Sequence, residues 1–251
     1  MTIVLSGSVG AGGINNSDDV IDVQERLIEL GFTFIGRPDG IIGPNTIHGI
    51  RLFQSIKNGA QTLGGDGRVD VGGDTLRWLN AANAPEWQQM TAQGTGFENI
   101  EVTQQHRDDH DFGTSWLDET VIAAARLYQT SHRDANVQAS LMTINDTSHP
   151  RGGNTRDHSG HETGLSCDLR LPQVGNPGPA QGGRTFNSND YDQAAARMVL
   201  VALRAQPLAN TRALFFNDPQ LIAEGLCRPL RGHDDHIHFQ IRPPAREDIN
   251  N

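Results

Sequence analysis

Apolar positions in the first eighty residues recur at the three- and four-residue intervals of an amphipathic helix. Val20, Val23, Leu27 and Leu30 fall on one face, which predicts a helix from about Asp18 to Leu30. Ser17 is placed as its N-cap, Asp18 and Asp19 favour its positive end, and Gly31 stops it. Arg37-Pro38-Asp39-Gly40 has the composition of a turn. Gly43-Pro44-Asn45-Thr46 then opens a second helix with Ile47, Ile50, Phe53 and Ile56 inward, closed by Asn58-Gly59. A third, short helix follows Gly72-Gly73-Asp74 and carries Leu76, Trp78 and Leu79. Residues 1–16 are rich in Gly, Ser and Asn and read as a loose arm or an edge strand.

The rhythm then fades and returns in a different form. Residues 83–115 read as a linker with local structure: Ala84-Pro85 breaks the third helix, Gly94-Thr95-Gly96 is flexible, and Gln104 to Asp111 is strongly polar. From Trp116 the pattern tightens. Asp118 is expected to cap a helix running to Tyr128, with Val121, Ile122, Ala125 and Tyr128 inward. Strands are predicted at 138–144, 165–171, 213–216 and 236–241. Helices are predicted at 191–205 and 219–226, and long irregular loops at 145–153 and 174–189. The fold class expected is therefore two domains. A small all-α three-helix module (1–82) is joined by the linker (83–115) to an α+β domain (116–251) with a small, mostly antiparallel sheet.

Composition narrows the partners. The net charge of −10 argues against nucleic acid, since phosphate binding needs a basic face. Lys57 is the sole lysine, so the positive charge is almost all arginine, which suits fork-like pairing with carboxylates. No apolar run approaches the ~18 residues of a membrane span. Met1–Leu5 lacks the basic start of a signal peptide. The expectation is synthesis in the cytoplasm, with work in the periplasm or cell wall after another form of delivery. Cys167 and Cys227 allow one disulfide or two buried thiols.

Two clusters carry candidate chemistry: residues 157–171, with His161, Gly164 and Asp168, and residues 233–239, with His233, Asp234, Asp235, His236 and His238. Imidazole and carboxylate are the usual ligands of a catalytic zinc, which takes three such groups and keeps one position for water. The expected set is His161, Asp168 and His238 around one Zn²⁺. Along a strand His236 and His238 project from one side while Ile237 and Phe239 face the core. Alternation also points Cys167 away from Asp168. Asp168, beside Leu169 and Leu171, sits where a carboxylate needs a cation. His158 reads as a solvated loop residue. His106 and His110 have the spacing of a helical metal pair, but the run of Asp108, Asp109 and Asp111 around them reads better as a solvated face.

Two family resemblances follow from these residues. Val23-Gln24-Glu25-Arg26-Leu27 with Leu30-Gly31, then Asp39-Gly40-Ile41-Ile42-Gly43-Pro44-Asn45-Thr46, Ile50, Phe53-Gln54, Asp66-Gly67-Arg68-Val69-Asp70 and Thr75-Leu76 resemble the three-helix peptidoglycan-binding module. That likeness implies binding to glycan strands or stem peptides. His161-Glu162-Thr163-Gly164-Leu165 with Asp168, residues 215–219, and Gly232 to His238 resemble the LAS metallopeptidases, in particular the murein endopeptidase A type. Arg151-Gly152-Gly153 fits too, while Gly160 departs from the serine usual there. This likeness implies His161, Asp168 and His238 as zinc ligands and His236 and His233 as catalytic or supporting histidines. It gives Glu162 no role.

The function expected is a zinc-dependent endopeptidase of peptidoglycan cross-links, D-Ala–meso-diaminopimelate preferred, with the L-Ala–D-Glu and terminal D-Ala–D-Ala bonds as alternatives. Asp146, Ser148 and Arg151 are candidates to line the substrate groove, Arg151 by pairing with a stem-peptide carboxylate. A phage-type endolysin or an interbacterial effector fits the delivery expected. The effector would bring an immunity protein and a secretion machinery as partners. The competing class is a wall-binding protein whose metal site, closed by a fourth ligand, is structural. A metal-independent binding protein is the third.

Overall fold

The computed structural model describes residues 1–104, 109–154 and 160–248. His106, Asp108 and His158 therefore lie outside the described residues. In chain order the elements are β1 (Val9–Gly10), α1 (Ser17–Glu29), α2 (Pro44–Lys57), β2 (Arg68–Val69), α3 (Asp74–Leu79), β3 (Trp87–Gln89), β4 (Gln93–Gly94), β5 (Phe97–Asn99), α4 (Ile100–Thr103), β6 (Phe112–Thr114), α5 (Ser115–Tyr128), β7 (Met142–Ile144), β8 (Ser166–Arg170), α6 (Gln193–Ala205), β9 (Thr211–Phe215), α7 (Pro219–Ala223) and β10 (His236–Ile241).

The N-terminal region is helical as the periodicity requires. Val20, Val23 and Leu27 of α1 and Ile50, Phe53 and Ile56 of α2 are buried. It is not all-α, because β1 and β2 form a short antiparallel ribbon. The first sixteen residues are not a loose arm either. Ile3, Leu5 and Val9 are buried, and the Asp19 carboxylate accepts hydrogen bonds from the Ser6 and Gly7 amides, both at 2.8 Å. Asp19 thus acts through bonds to the arm as well as through the helix dipole. The N-cap position of α1 belongs to Asn16, with Ser17 already inside the helix.

The C-terminal region is α+β. Its six-stranded sheet runs β4-β5-β7-β8-β10-β9, antiparallel except where β5 meets β7. Residues 83–115, expected as a linker, supply β4 and β5 to this sheet and β3 and β6 to a second pairing. Trp87 explains why the stretch is held. Its ring stacks on Phe32 of the helical region at 6.2 Å and its indole N–H donates to the Pro150 carbonyl at 2.8 Å. Met90, Phe97 and Ile100 are buried with it. His110, expected to be solvated, is buried against the His149 ring at 4.9 Å.

Helix α5 begins four residues earlier than expected, with its cap at Thr114 in place of Asp118. The Thr114 hydroxyl caps it by accepting from the Leu117 amide at 3.2 Å, while the Asp118 carboxylate instead accepts from the Thr91 amide and hydroxyl. Strand β7 is shorter than the predicted 138–144 run, and the Ser140 carbonyl accepts the buried Tyr128 hydroxyl instead. Cys167 and Leu169 of β8 and Ile237 and Phe239 of β10 join α5 and α6 in one apolar core. Cys167 and Cys227 are both free and buried.

Gly164 is the backbone pivot between His161 and Asp168. Its φ is +64°, and a Cβ there would lie 2.6 Å from the Trp87 ring and 2.8 Å from both the Gly113 Cα and the Thr114 nitrogen. Gly164→Ala is expected to destabilise the chain by about 3 kcal/mol, since two of those neighbours are backbone and cannot turn aside. The shift in the urea unfolding midpoint measures it. A loss under about 0.5 kcal/mol would mean that the chain relaxes easily around Gly164.

Candidate metal centre

The antiparallel register of β8 with β10 sets Asp168 directly opposite His238, and the pleat puts His236 and Gln240 on the same face. The loop that ends at β8 brings His161 over this pair. Three groups separated by up to seventy-seven positions therefore converge, with one donor atom from each lying within 4.8 Å of the others. His238 Nδ1 is 2.6 Å from Asp168 Oδ1, and His161 Nε2 is 3.3 Å from Asp168 Oδ2. The two imidazole rings meet edge to face at 4.9 Å. All three residues are at most 5% exposed.

The electrostatics suit a group of residues that could hold a cation. Burial alone would push the Asp168 carboxyl up. His161 opposes this by its charge and its hydrogen bond, His238 adds another, and the carboxyl is held well below its ordinary range. Burial works against charge on His161 too, yet the Asp168 carboxylate beside it wins and keeps that imidazole protonated above its usual range. His238 goes the other way, because burial outweighs its bond to Asp168. The buried Asp168 carboxylate and the His161 imidazole thus each favour the charged form of the other.

The donor set fits a zinc ion. Ligands about 2.0–2.1 Å from a tetrahedral zinc lie roughly 3.3 Å from one another, the separation of His161 Nε2 and Asp168 Oδ2. His238 would bind through Nδ1, leaving Nε2 to be held. Gln240 Nε2 stands 2.9 Å from that atom, and rotation of its amide presents Oε1 to an Nε2–H, the kind of contact that fixes a ligand imidazole. Gln240 was not singled out in the sequence, although its two-residue spacing from His238 was the signal. Because an occupying cation competes with a proton on His161, whose pKa is raised, zinc uptake is expected to be coupled to proton release and to weaken as pH falls. Titration calorimetry in buffers of different ionisation enthalpy measures the release. A heat independent of buffer would contradict the charge assignment.

His236 and His233 stand at the open side. His236 Nδ1 is held by Asp235 Oδ1 at 2.8 Å, which turns Nε2 towards Asp168 Oδ2 at 3.7 Å. Its side chain is one-quarter exposed. The His233 ring lies 4.6 Å from that of His236, and burial followed by the charge of His236 lowers its pKa. Asp234 does not reach either histidine as a tautomer partner in the contacts described; it accepts from Asn217 Nδ2 at 2.7 Å. Phe215 packs beside both His238 and His233, at 6.0 and 5.8 Å.

The groove candidates separate. Asp146 lines a cavity of about 350 Å³ together with Asp168, Arg170, Asp235 and His236. Ser148 does not: it is fully buried, and its hydroxyl accepts from the Gly164 amide at 2.8 Å. Arg151 also lies elsewhere, over the Phe34 ring at 5.4 Å, with Nη2 donating to Asn45 of the helical region at 2.9 Å. A larger hollow of about 470 Å³ beside β9 is lined by Arg204, Arg212 and Arg228, with no histidine or carboxylate to do proton work. Gly160 has φ +114°, which accounts for glycine where a serine was expected.

Against known proteins, residues 16–78 match the peptidoglycan binding domain family, which covers about a quarter of the chain. The N-terminal helical region accordingly matches a peptidoglycan-binding domain, which supports peptidoglycan as a partner, and it is followed by an α+β region. No curated protein matches the chain. No described helix is long and apolar enough to cross a membrane.

Proposed function

We propose that the chain is a zinc-dependent peptidoglycan endopeptidase of the LAS type, with His161, Asp168 and His238 as the metal ligands. The observation that carries this reading is the convergence of those three buried donors beside a cavity, on a chain that also has a peptidoglycan-binding domain. Zinc bound there supplies Lewis-acid polarisation of a carbonyl and a water acidified toward a pKa of ~7. His236 is suited to take a proton on Nε2, because Asp235 holds its other nitrogen, and to hand it to the leaving amine. His233, beside it, steadies negative charge developing on the substrate. Asp146 lines the approach.

The preferred bond is the D-Ala–meso-diaminopimelate cross-link, with the L-Ala–D-Glu and D-Ala–D-Ala bonds as alternatives. Work in the periplasm or wall, as a phage-type endolysin or an interbacterial effector, accords with a domain that holds peptidoglycan. Tethering by that domain raises local substrate concentration. A second reading, a wall-binding protein with a closed structural site, draws on the nearness of His236 Nε2 to Asp168 as a fourth donor. Digestion of purified sacculi with and without a chelator, read by mass spectrometry of released fragments, tests both. Zinc-dependent release names the bond by its new termini. Intact sacculi with one tightly held zinc per chain would establish the structural site instead.

A further inference from the structure

The loop that carries His161 does not stand on the α+β region alone. Immediately after His161, Glu162 turns its carboxylate into the helical domain, where Oε2 accepts from the Leu63 amide at 2.6 Å. The next residue, Thr163, donates its hydroxyl to the Ala60 carbonyl at 2.7 Å. Glu162 is 9% exposed and makes no ion pair among the described residues, so a backbone N–H from the other region is the polar partner the structure gives its carboxylate. Its own carbonyl accepts the Gly153 amide at 2.8 Å, tying the two ends of the site loop together.

The receiving surface is held by hydrogen bonds to α2 and β9. Helix α2 ends with the Gly59 and Ala60 amides bonded back to the Ile56 and Ser55 carbonyls, both at 2.9 Å. This C-terminal motif fixes the direction of the departing chain. The Gly64 amide then bonds to the Ser55 hydroxyl at 2.8 Å, so the 58–64 turn is anchored at both ends on α2. From the other side Arg212 of β9 donates to the Gly59 carbonyl. The same α2 also reaches the start of the loop, since His48 Nε2 donates to the Arg151 carbonyl at 2.8 Å.

We propose that the peptidoglycan-binding domain is a structural part of the metal centre, and that Glu162 is the positioning residue that joins them. On the metal reading given above, the 58–64 turn sets where residues 162 and 163 lie and so where the His161 imidazole stands relative to Asp168 and His238. The wall-binding domain is then a support for the site as well as a tether. Coupling of this kind is reciprocal, so the docked arrangement and the filled metal site favour each other.

The test is zinc affinity of the full chain, measured by competition with a chromophoric chelator, for wild type, Glu162→Ala, Glu162→Gln and Thr163→Val. Partners that hydrogen-bond a ligand directly are worth about 10- to 100-fold in metal affinity, and that range sets the scale for a residue that holds the ligand's own loop. Glu162→Ala should fall in that range. Glu162→Gln, whose amide oxygen still accepts the Leu63 N–H, should stay within about threefold of wild type, a rescue that a purely electrostatic role would not give. Thr163→Val keeps the shape and should weaken zinc by a smaller factor; it carries the test should Glu162→Ala fail to fold. Hydrogen exchange of the Leu63 and Gly153 amides should quicken in Glu162→Ala, without reference to metal. If wild type takes up zinc and folded Glu162→Ala or Thr163→Val matches it, the positioning role is overturned and the metal reading stands. If wild type takes up no zinc, the metal reading is overturned.

Discussion

Asp168→Asn is expected to cost the chain its divalent ion. Asp168 is the hub of the cluster, with His161 on one oxygen and His238 on the other. Removing one member of a buried charge pair costs about 3–5 kcal/mol, which at 1.4 kcal/mol per factor of ten corresponds to a loss of zinc affinity of roughly 10²- to 10³-fold or more. The substitution is nearly isosteric, so the loss reports charge and ligation rather than packing. The metal-free chain gives a second readout with a definite sign. Asp168 is held below its ordinary range, so its contribution to stability is present above the usual carboxylate pKa and fades as pH falls through the lowered value. His161 is held above its ordinary range, so its contribution is full below the usual imidazole pKa and fades as pH rises through the raised value. The metal-free wild type should therefore be most stable between those limits, and the plateau should flatten in Asp168→Asn. The His161 resonances should titrate below the ordinary imidazole range once the carboxylate is gone. Chelator competition, denaturation across pH and histidine NMR measure the three effects. Wild-type zinc affinity in Asp168→Asn would remove Asp168 from the ligand set.

Much of this arrangement was legible in the sequence, and the reason is periodicity. Strand β10 falls where the apolar-polar alternation of His236 to Ile241 puts it. The same alternation places Cys167 with the core and Asp168 with the histidines. Helix α6 and the inward faces of α1 and α2 follow from the 3.6-residue rhythm. What failed was read from composition instead. The stretch 83–115 looked like a connector because its strands are two or three residues long, too short to show a period, and its anchors Trp87, Met90 and Phe97 are spaced by other structure. Ser148 looked like a groove residue because it lies in a polar loop. Its backbone exchanges hydrogen bonds with Phe112 at 2.8 Å in both directions, a pairing between distant segments that carries no local signature. Glu162 was passed over for a related reason. Its partner Leu63 is ninety-nine positions away in the other region, and neither residue marks the contact.

Replacing His236 with alanine should separate chemistry from metal binding, the distinction on which the hydrolase reading turns. His236 shares the strand face of His238, yet its nearest approach to Asp168 is 3.7 Å and its side chain is partly open to solvent. Zinc content should therefore stay near wild type in His236→Ala and collapse in His238→Ala, whose ring nitrogen is 2.6 Å from Asp168. Turnover of sacculi or of a cross-linked stem-peptide dimer should fall about 10²- to 10⁴-fold in His236→Ala, the range that a positioned acid–base group supplies. The loss should appear in kcat more than in KM, because a proton-transfer group acts in the transition state. Asp235→Asn gives the companion result. Asn can still meet His236 Nδ1 but without the charge that stabilises the ring when it holds a proton, so a smaller loss is expected. Full turnover by zinc-loaded His236→Ala would assign the proton transfer elsewhere, to His233, whose ring is the nearest alternative at 4.6 Å.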